Sequence, residues 1–250
     1  MLIVAVWYVL RLERWDWKLS QPFVLATPDE IIRAIIEERS KLWEAAKKSG
    51  LGAILGFGSA ALVGFLLAVS LSLSGLVRAC LYPYLMILQM TPIIVIAPII
   101  LLLIGSGMTS VVVITFLICF FPIVVNTTQG LISTDRNLVD LFRMSNASRW
   151  QELALLRVPA AAPYFFTGLK IAGTLAPIGA IVGDFYAGNT LGGGGLGFYA
   201  YTFSAQANTP ALYATGVVSC VLGFMFVAGV YFLNWLVLHT WHDSFNRSEG

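Results

Sequence analysis

Few residues of this 250-residue chain could do chemistry, and they are not grouped as a reaction needs them. Gly192, Gly194 and Gly197 match the spacing of a dinucleotide loop. Such a site also needs a preceding strand, a following helix and an acid about 20 residues on, whereas the next acid here is Asp243. No P-loop sequence occurs, so ATP is not bound by this chain in that fashion. Cys80, Cys119 and Cys220 are far apart in apolar surroundings, which predicts packing rather than a disulfide or a ligand set. His239 and His242 flank Trp241 without a third ligand, an interfacial cluster rather than a metal site. The chain is therefore expected to have no catalytic residue, no metal and no cofactor. Two charges lie in apolar stretches. Lys170 is placed to snorkel toward headgroups. Asp184 is either a gate or partner residue of the membrane interior or a carboxylate solvated at its edge.

The elements that must position these residues follow from composition. Hydrophobic residues make up 58% of the chain and charged residues 11%, with a mean hydropathy of +0.82. A soluble globule carries about 25% charged residues, so a soluble domain is excluded. Residues 79–134 contain no Asp, Glu, Lys or Arg, and neither do residues 185–242. At about 20 apolar residues per spanning helix, each stretch has room for two spans. The runs lack the alternation of an outer-membrane barrel, so the fold class is an all-α polytopic membrane protein. The net charge of +2 and the absence of a basic run exclude a nucleic-acid partner.

Along the chain, residues 2–10 are apolar but short, a trimmed span or an anchor helped by Trp7, Trp15 and Trp17. Thr27 with Glu30 forms a capping box and Pro28 sits at the first helical position. An amphipathic helix is expected over 27–48, with Glu37–Lys41 and Glu44–Lys48 pairs on its wet side. Spans are expected at Leu51–Leu73, rich in Gly and Ala, at Leu81–Ile104, broken by Pro83, Pro92 and Pro98, and at Thr109–Leu131. Two more are expected at Ala160–Val182 and Leu212–Leu238, giving five strong spans and the short N-terminal one. The Gly105-Ser106-Gly107 sequence is a tight turn, and the Gly-rich segment near 192–197 a flexible loop. The chain thus divides into an N-terminal segment (1–50), a transmembrane domain (51–240) and a tail (241–250). Gln89–Pro98 is expected beside a translocation path or kinked for packing, because broken helices at membrane depth line cavities or are buried.

Between the third and fourth spans, residues 133–158 are charged. Arg136–Ser145 reads as a short helix, Asn146 suits the left-handed exit, and Ser148 with Gln151 starts a second helix. Pro159 and Pro163 mark the return to the membrane. A polar helix–turn–helix between spans is a docking knob for a soluble partner.

This segment resembles the cytoplasmic EAA loop of permease subunits of bacterial ABC importers, of the form Glu-Ala-Ala, three residues, Gly, nine residues, then Ile-x-Leu-Pro. The match runs through Asp140-Leu141-Phe142, Asn146 and Leu156-Arg157-Val158-Pro159. The segments PFVLATPDEIIRAI from Pro22, MTPIIVIAPIILLLIGSG from Met90, FFPIVVNTTQGLISTD from Phe120, ASRWQ and GGLGFY are similar to the nitrate/sulfonate/taurine branch, so the likeness covers nearly the whole chain. Two departures stand out: Asp-Leu-Phe replaces Glu-Ala-Ala, and Asn replaces Gly.

The resemblance implies a type I ABC importer permease in the bacterial inner membrane, with the 133–159 loop and the C-terminus cytoplasmic. It implies ABC ATPase subunits docking on Asp140, Leu141, Phe142, Arg143, Asn146, Arg149, Trp150 and Pro159. A second permease copy or a sister permease would complete the pore, and an extracytoplasmic solute-binding protein would deliver a small solute. Gln89, Pro92, Pro98 and Asp184 are the translocation-path candidates. Positive-charge counting argues the opposite orientation, since the first polar segment carries eight Lys/Arg and residues 133–158 only four. The rival classes are an ion-coupled secondary carrier, which would need ionisable groups at mid-membrane, and a membrane scaffold protein.

Overall fold

The computed structural model describes residues 26–187 and 194–242, with side chains through Val237. The N-terminal apolar stretch, its three tryptophans, Gly192, the side chains of His239, Trp241 and His242, and residues 243–250 lie outside the described residues. What is described is all-α. Helix α1 is Pro28–Glu37, and α2, Arg39–Leu73, is continuous over 35 residues. Helices α3 (Gly75–Gln89) and α4 (Ile93–Ile104) follow, then α5 (Met108–Ile132) and the short α6 (Arg136–Met144). Helix α7 runs Arg149–Ala187, α8 is Leu196–Ala205 and α9 Thr209–His242.

The expected amphipathic helix over 27–48 divides in two. Thr27 caps α1 as read, its amide donating to Glu30 at 2.8 Å, but α1 ends at Glu38, where φ is −93° and ψ 11°. The remainder of that segment is the first part of α2. Accordingly the wet-side pairs are Glu38–Lys41 at 2.8 Å and Glu44–Lys47 at 2.5 Å rather than the i,i+4 pairs expected. At about 1.5 Å per residue α2 is roughly 52 Å long, well beyond a hydrocarbon core of about 30 Å, so its first turns stand outside the bilayer.

Among the described residues four helices are long and apolar enough to span, α2, α5, α7 and α9, and the bent pair α3–α4 is a fifth when counted as one broken span. The two halves of that pair meet at 100°. The corner is Met90-Thr91-Pro92, with Pro92 as the N-cap of α4, so its missing N–H costs no helical hydrogen bond. Pro98 lies inside α4. Gly105 and Gly107 take φ of +92° and +126°, the turn that their types predicted.

Helix α5 sits between α2 and α7, and glycines set how closely. A Cβ on Gly52 of α2 would lie 2.8 Å from Val111 Cγ1, and one on Gly183 of α7 2.9 Å from Val111 Cα. Thr115 is held in the same way between Gly56 and Gly179, and Ile123 between Gly64 and Gly168. The numbers rise together along α2 and α5 and fall along α7, so α2 and α5 are parallel and α7 is antiparallel to both. Small buried residues complete the seam, among them Ala53, Ala60, Ala172, Ala176 and Ala180. Lipid offers no hydrophobic drive between helices, so close van der Waals packing of this kind holds the bundle.

Parallel α2 and α5 place α1 at one end of the bundle and the 133–148 segment at the other. Gly173 and Pro177 of α7 meet Val230 and Gly223 of α9, which brings the end of α9 to the same end as that segment.

Filling the seam should be costly where filling the outer surface is not. Gly56→Leu is expected to lose about 1–3 kcal/mol through overpacking, seen as a lowered unfolding midpoint and aggregation in detergent. Gly58→Leu, whose Cβ meets nothing within 4 Å, should leave both the midpoint and the gel-filtration profile at parental values.

Candidate functional site

The charged segment between α5 and α7 folds as a helix–turn–helix. Asp135 caps α6, its carboxylate accepting from the Asn137 amide at 2.8 Å. At the other end Ala147 N–H donates to Phe142 O and Asn146 N–H to Arg143 O, both at 3.0 Å, with Asn146 at φ +54°. That is the 6→1 and 5→2 pairing of a Schellman exit, and Asn146 occupies its left-handed position. Ser148 then opens α7 with a reciprocal capping box: Gln151 N–H donates to its hydroxyl at 3.3 Å, and its own amide donates to Gln151 at 2.8 Å. Two capped ends four residues apart leave the turn little freedom.

The outward face of this unit carries most of the residues singled out from the sequence. Asp140, Leu141, Arg143, Asn146, Arg149 and Trp150 are exposed, as are Leu138 and Met144, while Phe142 and Pro159 are half-buried. Trp150 at 71% and Met144 at 83% are unusually exposed for such side chains. Arg143 Nη1 lies 4.0 Å from Asp140, an exposed pair of small energetic weight. Beside it a cleft of about 270 Å³ is lined by Ile132, Thr134, Arg136, Val139, Asp140, Arg143 and Arg157.

The residue that ties the unit together is Glu152, which the sequence reading did not single out. Glu152 is only 8% exposed. It accepts from Arg157 Nε at 2.7 Å and Nη2 at 2.5 Å, and Arg143 Nε of α6 approaches its other oxygen to 3.7 Å. Residues 153–157 form a π-helical turn within α7. In a π turn the repeat is i→i+5, the separation of Glu152 and Arg157, so the unusual turn and the ion pair support each other. The sequence signal was faint: an acid followed by a base at i+5, which has no meaning in an α-helix.

The membrane candidates do not form one site. Gln89, Pro92 and Pro98 lie on the exposed side of the α3–α4 crossing, with Gln89 donating to Met86 Sδ at 3.6 Å. Asp184 is elsewhere and 3% exposed, so the edge-solvated reading is overturned. Its carboxylate accepts from the Ser49 hydroxyl of α2. Lys170, half-buried, has its Nζ 5.5 Å from the centre of the exposed Tyr231 ring, a cation–π contact between α7 and α9. The expected flexible loop around 192–197 is in part a helix, since α8 begins at Leu196.

Residues 60–240 match the family described as the inner membrane component of binding-protein-dependent transport systems. The chain is 34% identical over 220 residues to the formylaminopyrimidine transport permease protein ThiX of Halalkalibacterium halodurans, covering 86% of each chain. It is 37% identical over 133 residues to the riboflavin transport system permease protein RibX of Chloroflexus aurantiacus, covering 53% of this chain and 48% of that one. It is also 30% identical over 145 residues to the nitrate import permease protein NrtB of a Synechocystis species, covering 58% and 51%.

The turn geometry makes a direct prediction at Asn146. Replacement by Val should cost about 1–2 kcal/mol, because a β-branched residue is penalised in the left-handed region, whereas Asn146→Gly should cost nothing. Limited proteolysis of the detergent-purified chain reads this as cleavage within 136–152 that is faster in the Val variant and unchanged in the Gly variant.

Proposed function

The chain belongs to the family of inner membrane components of binding-protein-dependent transport systems, in the nitrate/sulfonate branch of ABC importer permeases, and from that premise we propose that it forms half of the pore of an ATP-driven importer. It is a multi-pass transmembrane subunit, and the transport chemistry is supplied by others. In this reading two ABC ATPase subunits dock on the 133–158 segments of two permeases, and an extracytoplasmic binding protein delivers the solute at the opposite end. The observation that carries the proposal is the exposed face of the helix–turn–helix, where Leu141, Met144 and Trp150 stand exposed on the same unit as the Asp140–Arg143 pair. Large exposed apolar side chains beside an exposed ion pair suit a protein interface, and a free aqueous surface would not favour them.

A rigid knob is also what transmission needs. Closure of the ATPase pair on ATP would push α6, and the Glu152 tie would pass the displacement into α7 without bending at the turn. The second permease, identical or a sister, would pack on the exposed apolar side of the pore, with the bent α3–α4 crossing beside the path. The 133–158 segment and the end of α9 share one end of the bundle, which this reading places in the cytoplasm and α1 outside. ThiX and RibX are named for nitrogen heterocycles, which favours that solute class over small anions such as nitrate.

Co-purification tests the docking. The tagged chain, expressed in mild detergent with the ATPase encoded beside it, is expected to retain that ATPase in stoichiometric amount. Asp140→Arg, which reverses the charge of an exposed residue, should lose the ATPase while keeping the permease monodisperse. Absence of the ATPase from a well-folded parental preparation would overturn the docking reading and leave a membrane scaffold as the better account.

A further inference from the structure

The second polar tie of the molecule lies at the end opposite the docking segment, and nothing in the proposed function uses it. Asp184 is near the end of α7, Ser49 is in the first half of α2 and fully buried, and Leu196 begins α8. Ser49 stands between the other two. Its hydroxyl donates to Asp184 Oδ2 and accepts from the Leu196 amide at 2.8 Å. The neighbouring Lys48 adds an attractive charge, and the carboxylate faces the N-terminal end of α8, where the helix dipole favours an anion. The backbone of α8 lies directly on this acid. A Cβ at Gly195 would fall within the Asp184 carboxylate, and one at Gly197 would come 2.6 Å from the Phe185 nitrogen. Beneath α8, Leu196 and Phe203 close over Leu42 and Ala45 of α2, Ala34 of α1 and Ala211 and Ala214 of α9.

A carboxylate buried this deeply is costly unless partners compensate it. Here the compensation comes from α2, through Ser49 and Lys48, and from the N-terminal end of α8, so removing the acid loosens both together. We propose that Asp184 is a positioning residue: through Ser49 it clamps the N-terminus of α8 onto α2 and α7 and so closes the end of the bundle opposite the docking segment. This rests on the permease reading for its place in transport, but the clamp itself belongs to the isolated chain. Charge and hydrogen bonding, rather than the volume of the Asp184 side chain, hold α8 down.

Hydrogen exchange of the full chain in detergent tests this, with amides 196–205 as the readout and the α5 seam amides as the control for folding. Asp184→Asn, which keeps shape but not charge, and Ser49→Ala are each expected to speed exchange of α8 about tenfold, the scale set by an uncompensated buried polar group. Gly195→Ala should do the same by steric displacement. The exchange of the two side chains, Ser49→Asp with Asp184→Ser, keeps every donor and acceptor, so it should restore α8 protection to within about threefold of the parent. Single variants that exchange no faster than the parent, with α5 unchanged, would overturn the clamp. So would a swap that exchanges as fast as the singles, because the pair would then matter only as packing. The measurement needs no ATPase, so its failure is separable from failure of the docking experiment.

Discussion

Val111, Thr115 and Ile123 of α5 each lie between a glycine of α2 and a glycine of α7, and the rest of the structure depends on that three-helix seam. The contacts are backbone-close on both sides of α5, which leaves the three helices little room to slide or separate. Because the register is set at three heights, the seam also dictates direction: α2 and α5 run together and α7 runs back. That single consequence forces the chain to cross between Leu73 and Met108, which the bent α3–α4 pair does. It also separates the amphipathic start of the described chain from the charged helix–turn–helix. The buried hydroxyls of Thr115 and Thr127 do not disturb the seam, since they donate to the carbonyls of Val111 and Ile123, one turn back, at 2.8 and 2.6 Å.

Polar ties of similar logic secure the two ends of this apolar column. At one end Glu152 joins α6 to α7 through Arg143 and Arg157, and at the other Asp184 joins α7 to α8 through Ser49. The two acids sit near opposite ends of α7. The two differ in exposure of the partners. Arg143 is 64% exposed, so its arm of the Glu152 tie is partly screened, while Arg157, 22% exposed, holds the same carboxylate at 2.5 Å. Ser49 is fully buried, so the Asp184 tie breaks only if α8 itself moves.

How much of this was legible in the sequence depended on whether the cause was local. The capping boxes at Thr27 and Ser148, the Pro28 start, the Gly105–Gly107 turn and the left-handed Asn146 are local chemistry, and each appears where residue type placed it. The five crossings were likewise legible as apolar length. The break at Glu38 was not, because residues 27–48 keep one amphipathic period through it, and only packing divides α1 from α2. Helix α8 was hidden by the glycines before it, which read as a flexible loop. Gly195 and Gly197 owe their place to the backbone they must pack against. Asp184 was visible as an anomaly, but its partner is 135 residues away and is an unremarkable serine. Within the 133–158 segment the exposed face was legible from its motif, while Glu152 depended on a π turn that α-helical spacing cannot suggest.

The distribution of burial then indicates which parts of the molecule are free to change. Helices α2, α5 and α7 share the glycine seam and move as one body, since separating them would open backbone-close contacts at Val111, Thr115 and Ile123 simultaneously. The α3–α4 crossing has no such seam: α3 buries none of its residues, and α4 buries Ala97 and Ile100. Its corner at Met90–Pro92 is held by two local turn hydrogen bonds of 3.1 Å, from Met90 N to Ile87 O and from Thr91 N to Leu88 O. A displacement delivered to α6 and α7 would therefore be carried by the three-helix body and taken up where packing is thinnest, at the bent crossing. Rigid transmission and local compliance thus come from one sequence decision, the placing of small residues on the facing sides of α2 and α7 and of bulky apolar residues along α3 and α4.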